Sequence, residues 1–232
     1  MNCQTVLILD FGGQYKELIA RRVRELGVYS EILFWDSPIE KLRESNPAGI
    51  IISGGPRSVL DPDAPAVPME LLSADAPVLG ICYGMQLLAH QFGGAVERGS
   101  SAEYGRAAVN VEEGRLFARC GGDKKLAVWM SHWDEVKRLP VGFKVTARSE
   151  SGAMAGFESA DGRVTALQFH PEVAHTPKGQ EILSAFLSKT RKAVCIPCPY
   201  CKSGIQYFFD PFISGDQAVF GIKKRPATDK TS

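Results

Sequence analysis

Six cysteines are scattered through 232 residues, and one sits where sulfur chemistry would need it. The stretch Val78-Leu79-Gly80-Ile81-Cys82-Tyr83-Gly84-Met85-Gln86-Leu87-Leu88 reads as a buried strand running through Gly-x-Cys-x-Gly into a helix. This is a nucleophile elbow carrying a thiol. Glycines stand where a Cβ would strike neighbouring backbone, and the sharp turn lifts the middle side chain clear of both elements. The helix that follows points its N-terminus at the sulfur and favours thiolate over thiol, the form that attacks a carbonyl. The competing reading of Cys82 is a buried structural cysteine, the commoner fate of a lone Cys on an apolar strand.

A thiol of this kind needs a base. Of four histidines, His170 lies in Val164-Thr165-Ala166-Leu167-Gln168-Phe169-His170-Pro171-Glu172, directly after an apolar strand. An imidazole that takes the thiol proton needs a fixed tautomer, and Glu172, two residues on, can bind its far nitrogen and stabilise the imidazolium. Read alone, the pair fits a turn-satisfying imidazole and a solvated charge equally well. His90 falls inside the helix after the elbow and His175 is a weaker competitor. His132, in Trp129-Met130-Ser131-His132-Trp133-Asp134, suits the lining of a pocket better than contact with the thiol. Ile50-Ile51-Ile52-Ser53-Gly54-Gly55-Pro56 is a second buried strand ending in bare backbone. An elbow enzyme pairs the N–H after its nucleophile with one from a neighbouring strand-end loop, which predicts Tyr83 and Gly55 as oxyanion donors. Ser-Gly-Gly-x-x-Ser-Val at 53–59 also superficially resembles the phosphate loop of ATP pyrophosphatases, but Arg57 stands where Asp is expected and Pro56 removes a donor.

The elements that must hold these residues alternate in the first half. Val6 to Leu9, Glu31 to Phe34, Gly49 to Ser53 and Val78 to Ile81 are strand candidates. Between them lie helical stretches: Tyr15, Leu18, Ile19, Val23 and Leu26 at helical spacing, then Pro38 to Glu44, with Gly84 to Phe92 after the elbow. This alternation predicts an α/β fold with a mostly parallel central sheet flanked by helices, flavodoxin-like. After Gly94 short β runs at Ala107 to Val111, Leu126 to Met130, Phe143 to Thr146 and Val164 to Phe169 predict a smaller antiparallel part. A last helix is expected from about Pro177 with Thr176 as N-cap, burying Ile182, Leu183, Phe186 and Leu187.

Composition sets the limits. With 27 Lys+Arg, 26 Asp+Glu and 44% hydrophobic residues, the chain has the balance of a globular protein with no charge bias towards nucleic acid. No apolar run approaches the 18 or so residues of a membrane span, and the N-terminus lacks a signal-peptide pattern; a cytoplasmic protein with no membrane partner is expected. Charge divides near residue 190: residues 191–232 hold seven Lys+Arg and three Asp, leaving 20 Lys+Arg and 23 Asp+Glu before them. Residues 1–190 are therefore expected to form the working domain and 191–232 an atypical, partly disordered tail. Cys195, Cys198 and Cys201 in that tail suggest zinc but have no obvious fourth ligand; an altered, truncated or frame-shifted tail is the competing explanation.

The elbow, the His-Pro-Glu and the Ser-Gly-Gly-Pro together resemble class I glutamine amidotransferases over residues 1–190. Leu7-Ile8-Leu9-Asp10-Phe11-Gly12-Gly13-Gln14-Tyr15, the stretch from Leu18 to Tyr29, and Val128-Trp129-Met130-Ser131-His132 are most similar to the amidotransferase domain of GMP synthases. The resemblance implies a Cys82, His170 and Glu172 triad, oxyanion donors at Gly55 and Tyr83, and Gln86 beside the substrate, with Ser131, His132 and Asp134 lining the pocket. It implies L-glutamine as substrate, glutamate and ammonia as products, and no cofactor or metal for that step. ATP and Mg²⁺ are expected only on a partner, an ATP pyrophosphatase subunit that aminates XMP. Amidotransferase subunits of anthranilate or carbamoyl phosphate synthetases, and an inactive regulatory module, are the alternatives. Three positions depart from the family pattern. Trp133 replaces Gly in Ser-His-Gly-Asp, putting the largest side chain at a position expected to wall the pocket, with strain if that position needs φ > 0. Ala102 stands for a usual Arg and, of less weight, Gly13 for a usual Ser; beyond these positions, residues 191–232 do not resemble the ATP pyrophosphatase and dimerisation domains expected next.

Overall fold

Three of the four apolar runs of the first half become strands buried on both faces, and the fourth, from Glu31 to Phe34, becomes a partly buried edge. In the computed structural model, which describes residues 5–73 and 75–190, β1 (Thr5–Asp10) is buried along its whole length. It pairs in parallel with β2 (Ser30–Phe34) and β3 (Pro47–Ile52), and β3 pairs with β4 (Val78–Ile81). Side chains alternate across these strands. Val6, Ile8, Ile51 and Leu79 enter one core with Ile19 and Val23 of α1 (Lys16–Glu25) and Ile182 and Phe186 of α5 (Gly179–Leu187). Leu7, Leu9, Ile50, Ile52 and Val78 enter the other. There they meet α2 (Ile39–Glu44), α3 (Met69–Leu72) and α4 (Tyr83–Gln91). Helices on both faces remove water from both, which is why these strands read as unbroken hydrophobic runs.

The second half continues the same sheet. The remaining strands are β5 (Ala95–Val111), β6 (Lys125–Arg138), β7 (Phe143–Ser149), β8 (Met154–Ser159) and β9 (Val164–Leu167), giving the order β2-β1-β3-β4-β9-β8-β7-β5-β6. β9 lies parallel to β4, and every pairing from β9 to β6 is antiparallel. The expectation of a mostly parallel sheet is therefore corrected: the antiparallel strands form half of one nine-stranded sheet. The α/β class stands. β5 and β6 extend well past the short runs expected of them; in β6, His132 and Asp134 are polar yet buried and hide the alternation that continues to Val136. The last helix begins at Gly179, after Lys178, and Thr176 does not cap it.

The elbow falls between β4 and α4. Cys82 adopts φ 55° and ψ −108°, a conformation that side chains rarely tolerate and that stores strain at a functional turn. Gly84 allows it: a Cβ there would stand 2.4 Å from the Ile52 carbonyl oxygen. Gly84→Ala should therefore push α4 off β3 and cost about 1–3 kcal/mol, read as a lower thermal unfolding midpoint together with loss of activity.

Candidate active site

The loops after β3 and β4 and the middle of β6 line one cleft of about 490 Å³. Its lining includes Gly55, Cys82, Tyr83, Gln86, Ser131, His132, Trp133 and Asp134, so the residues expected at the oxyanion site and substrate pocket come together with the thiol. The Cys82 sulfur donates to the Ser131 carbonyl at 3.3 Å and lies near enough to His170 to raise the pKa of its ring. His170 Nδ1 lies 2.7 Å from Glu172 Oε1. This contact occupies the far nitrogen of the ring and leaves Nε2 for the sulfur. Gly54 passes against both groups: a Cβ on it would meet His170 Cε1 at 3.2 Å and Cys82 Cβ at 3.6 Å.

His170 is 5% exposed and Glu172 fully buried. Burial is the strongest single influence on the His170 ring and favours its neutral form. The hydrogen bonds and charges of Cys82 and Glu172 together outweigh it and push the pKa up to about 10. Around neutral pH the ring thus holds a proton on each nitrogen. Among the described residues Glu172 Oε2 has no hydrogen-bond partner, so the imidazolium is the main compensation for that buried carboxylate. The edge of Tyr15 packs on His170 with ring centroids 5.1 Å apart.

The backbone around His170 is clamped to β6. His170 N–H donates to the Trp129 carbonyl at 3.1 Å, the Thr176 hydroxyl donates to the His170 carbonyl at 2.7 Å, and the same hydroxyl accepts from Trp129 N–H at 3.1 Å. The role expected of Thr176 as a helix cap is corrected, since its oxygen is already committed to this bridge. Nothing local in the sequence marks the bridge, because its partner lies 47 residues away. Thr176→Val would leave two backbone groups unpaired, the buried His170 carbonyl and the partly buried Trp129 N–H. It should cost about 1–3 kcal/mol and lower kcat more than it raises KM, checked by thermal unfolding and steady-state kinetics.

Tyr83 presents its backbone to the cleft as the first residue of α4, among the N-terminal donors that a helix leaves unpaired. Its side chain turns away, the hydroxyl donating to the Pro65 carbonyl at 2.7 Å, and burial pushes the phenol up to about 12. Gln86 reaches the cleft wall, but its amide nitrogen is tied to the Asp134 carbonyl at 2.9 Å and to Gln168 Oε1 at 3.3 Å. His132 is likewise committed, Nδ1 lying 3.1 Å from the Asp134 carbonyl oxygen and Nε2 3.1 Å from Glu103. Burial pushes the Glu103 carboxyl up, but the hydroxyls of Ser151 and Ser149 and the His132 ring outweigh it and hold it below the ordinary range. The Asp134 carboxylate accepts from the Ser58 hydroxyl, a partner that sequence spacing does not indicate. Trp133 stands on the rim, 53% exposed. Among the described residues only Asn46 and Cys82 combine a side chain with positive φ, so the strain expected at Trp133 does not arise.

The glutamine amidotransferase class-I family model matches residues 7–190. The chain belongs to this family. The amidotransferase is 54% identical over 182 residues to a GMP synthase [glutamine-hydrolyzing] of Thermus thermophilus, a match covering 78% of this chain and 36% of the relative. It is 50% identical over 189 residues to the enzyme of the same name from Thermosipho melanesiensis, covering 82% and 36%. It therefore spans about a third of the length of these curated relatives. Among solved structures, a GMP synthase subunit protein from Thermoplasma acidophilum superposes with a TM-score of 0.71 at 30% identity, covering 81% of the amidotransferase and 94% of that chain. Among the described residues no helix is long and apolar enough to cross a membrane. The zinc reading of Cys195, Cys198 and Cys201 lies outside the described residues.

Proposed function

We propose that the amidotransferase hydrolyses L-glutamine through Cys82, His170 and Glu172 and hands the ammonia to a separate ATP pyrophosphatase that converts XMP to GMP. One observation carries this reading: a strained elbow aims a thiol into a cleft beside an imidazole whose far nitrogen is held by a buried carboxylate. The Cys82 sulfur attacks the carboxamide carbon of glutamine, forming a C–S bond while the carbonyl electron pair moves onto oxygen. The Gly55 and Tyr83 N–H groups meet that oxyanion. As the tetrahedral adduct collapses, His170 gives its Nε2 proton to the leaving nitrogen and ammonia departs. The neutral ring then takes a proton from water, hydroxide adds to the thioester, and glutamate leaves as the C–S bond breaks. Glu172 keeps the ring in register throughout.

In this account Gln86, Ser131, His132 and Asp134 form the wall along the glutamine backbone. Gln86 and His132 act mainly by holding the Asp134 main chain, since their nitrogens already bond it. Hydrolysis needs no cofactor, because the thiol, imidazole and amide donors supply the nucleophile, acid and electrostatic stabilisation. ATP and Mg²⁺ serve the partner, where the acceptor is activated. The nucleotide chemistry and a thiol that must stay reduced place the protein in the cytoplasm. The likeness to GMP synthases supports this acceptor over the anthranilate or carbamoyl phosphate enzymes.

The test is glutamate and ammonia release from glutamine, with and without a GMP-synthase-type ATP pyrophosphatase supplied with ATP, Mg²⁺ and XMP. The partner should stimulate glutamate release and GMP should appear. Absence of glutamate in both arms would overturn the reading, and turnover that no such partner stimulates would overturn the acceptor.

A further inference from the structure

His132 faces two acceptors at once. Its Nδ1 lies 3.1 Å from the Asp134 carbonyl oxygen and its Nε2 3.1 Å from Glu103 Oε2. A carbonyl oxygen only accepts, so Nδ1 must carry a hydrogen. An ionised carboxylate also only accepts, so Nε2 must carry one too, or two lone pairs would confront each other across a buried contact. Of the protonation states open to the ring, the imidazolium alone serves both partners.

Glu103 is surrounded by donors that keep it an anion. It stands directly opposite His132 in the β5–β6 ladder, and its other oxygen, Oε1, accepts from the Ser149 hydroxyl at 3.1 Å and the Ser151 hydroxyl at 2.7 Å. These contacts outweigh burial and hold the carboxyl below its ordinary range. The His132 side chain is 2% exposed and that of Glu103 21%, so solvent screens the pair only in part. Of the other charged groups in the cleft lining, Arg57 pairs with Asp61 and Asp63, the Asp134 carboxylate accepts from Ser58, the Cys82 sulfur donates to Ser131, and Arg98 is a cation that offers the ring no acceptor. The ring's far side meets the Asp134 carbonyl, which Gln86 of α4 also holds.

We propose that Glu103 is a positioning residue that keeps His132 doubly protonated, so that a charged ring pins the Asp134 main chain and with it the wall of the glutamine pocket. This rests on the glutaminase reading above.

Glu103→Gln preserves the shape and removes the charge. Its amide oxygen can still accept from Ser149 and Ser151 while its NH2 donates to Nε2, which leaves a neutral His132 with its Nδ1 hydrogen on Asp134. Two measurements on the full chain separate this change from general damage. Long-range ¹H–¹⁵N NMR at about pH 7.5, where a free imidazole is about nine-tenths neutral, reads both ring nitrogens. Substitution of the exposed His90 and His175 identifies their signals, the response to Glu172→Gln identifies His170, and the remaining signal is His132. In the wild type both nitrogens of His132 should be protonated; in Glu103→Gln only Nδ1 should be. Steady-state kinetics should then show KM for glutamine raised about 3- to 10-fold, the step from a charged to a neutral hydrogen-bond donor. Because the wall binds substrate without meeting the reacting carbon, kcat and the alkylation of Cys82 by iodoacetamide should stay within about two-fold. An unprotonated Nε2 in the wild type overturns the proposal, as does a KM that does not move when the ring becomes neutral, or a loss of kcat and alkylation in step with the thermal midpoint. The protonation of His132 is read without turnover. If wild type turns over glutamine and Glu103→Gln matches it, this inference alone fails; if wild type is inert, the glutaminase reading fails and takes the role in the pocket with it.

Discussion

Serine in place of Cys82 should abolish glutamine hydrolysis, lowering kcat by about 10⁴-fold or more, the scale on which removing a nucleophile acts. The oxygen is a far weaker nucleophile at neutral pH, and the protonated His170 is poorly placed to accept a hydroxyl proton. Serine is nearly isosteric, so the elbow at φ 55° should persist and the thermal midpoint should change little. Ammonia release at saturating glutamine and circular dichroism check the two halves of this expectation. The substitution should also shift His170, since its contact with the sulfur is one of the interactions that raise the ring's pKa.

Glu172→Gln should lower kcat by about 10²- to 10⁴-fold, the range seen when a general acid–base or its orienting carboxylate is lost. An amide keeps the shape but removes the charge that favours the imidazolium. In the wild type His170 stays protonated up to about pH 10, so the alkaline limb of kcat/KM should lie there; in the variant, burial wins and the limb should move down. Stability follows the same sign. The folded pKa of about 10 exceeds the unfolded value near 6.5, so the proton stabilises the fold fully below about pH 6.5 and that contribution is lost as pH rises towards 10. The gap in thermal midpoint between wild type and Glu172→Gln should thus be widest near pH 6 and narrow above pH 10. A pH-independent gap would mean that Glu172 acts through packing alone.

The elbow was legible because its geometry is local: Gly80, Cys82 and Gly84 lie within one turn of chain, and each glycine answers a backbone contact. The parallel half was legible because strands covered on both faces carry no polar interruption. What escaped notice were polar groups paired across long distances. His132 and Asp134 look like the end of a strand, yet each finds a partly buried partner, Glu103 or Ser58, on another segment, so β6 runs on through them. Thr176 has the residue type and position of a helix cap, and only the fold shows its hydroxyl spent on Trp129 and His170. Ser53 is similar, bonded to Phe11 from 42 residues away. Trp133 shows the opposite case. Its size suggests a walled pocket, and the strand does set it in the cleft lining, half-exposed on the rim, but without the backbone penalty expected of it.

The central claim is that the Cys82 sulfur attacks the glutamine carboxamide, and the glutamine analogue 6-diazo-5-oxo-norleucine tests it directly. After incubation, peptide mass spectrometry should find a single adduct on Cys82, formed in step with loss of glutaminase activity and prevented by excess glutamine. An adduct on Cys120 or a tail cysteine with Cys82 left unmodified, or labelling that glutamine does not prevent, would contradict the account.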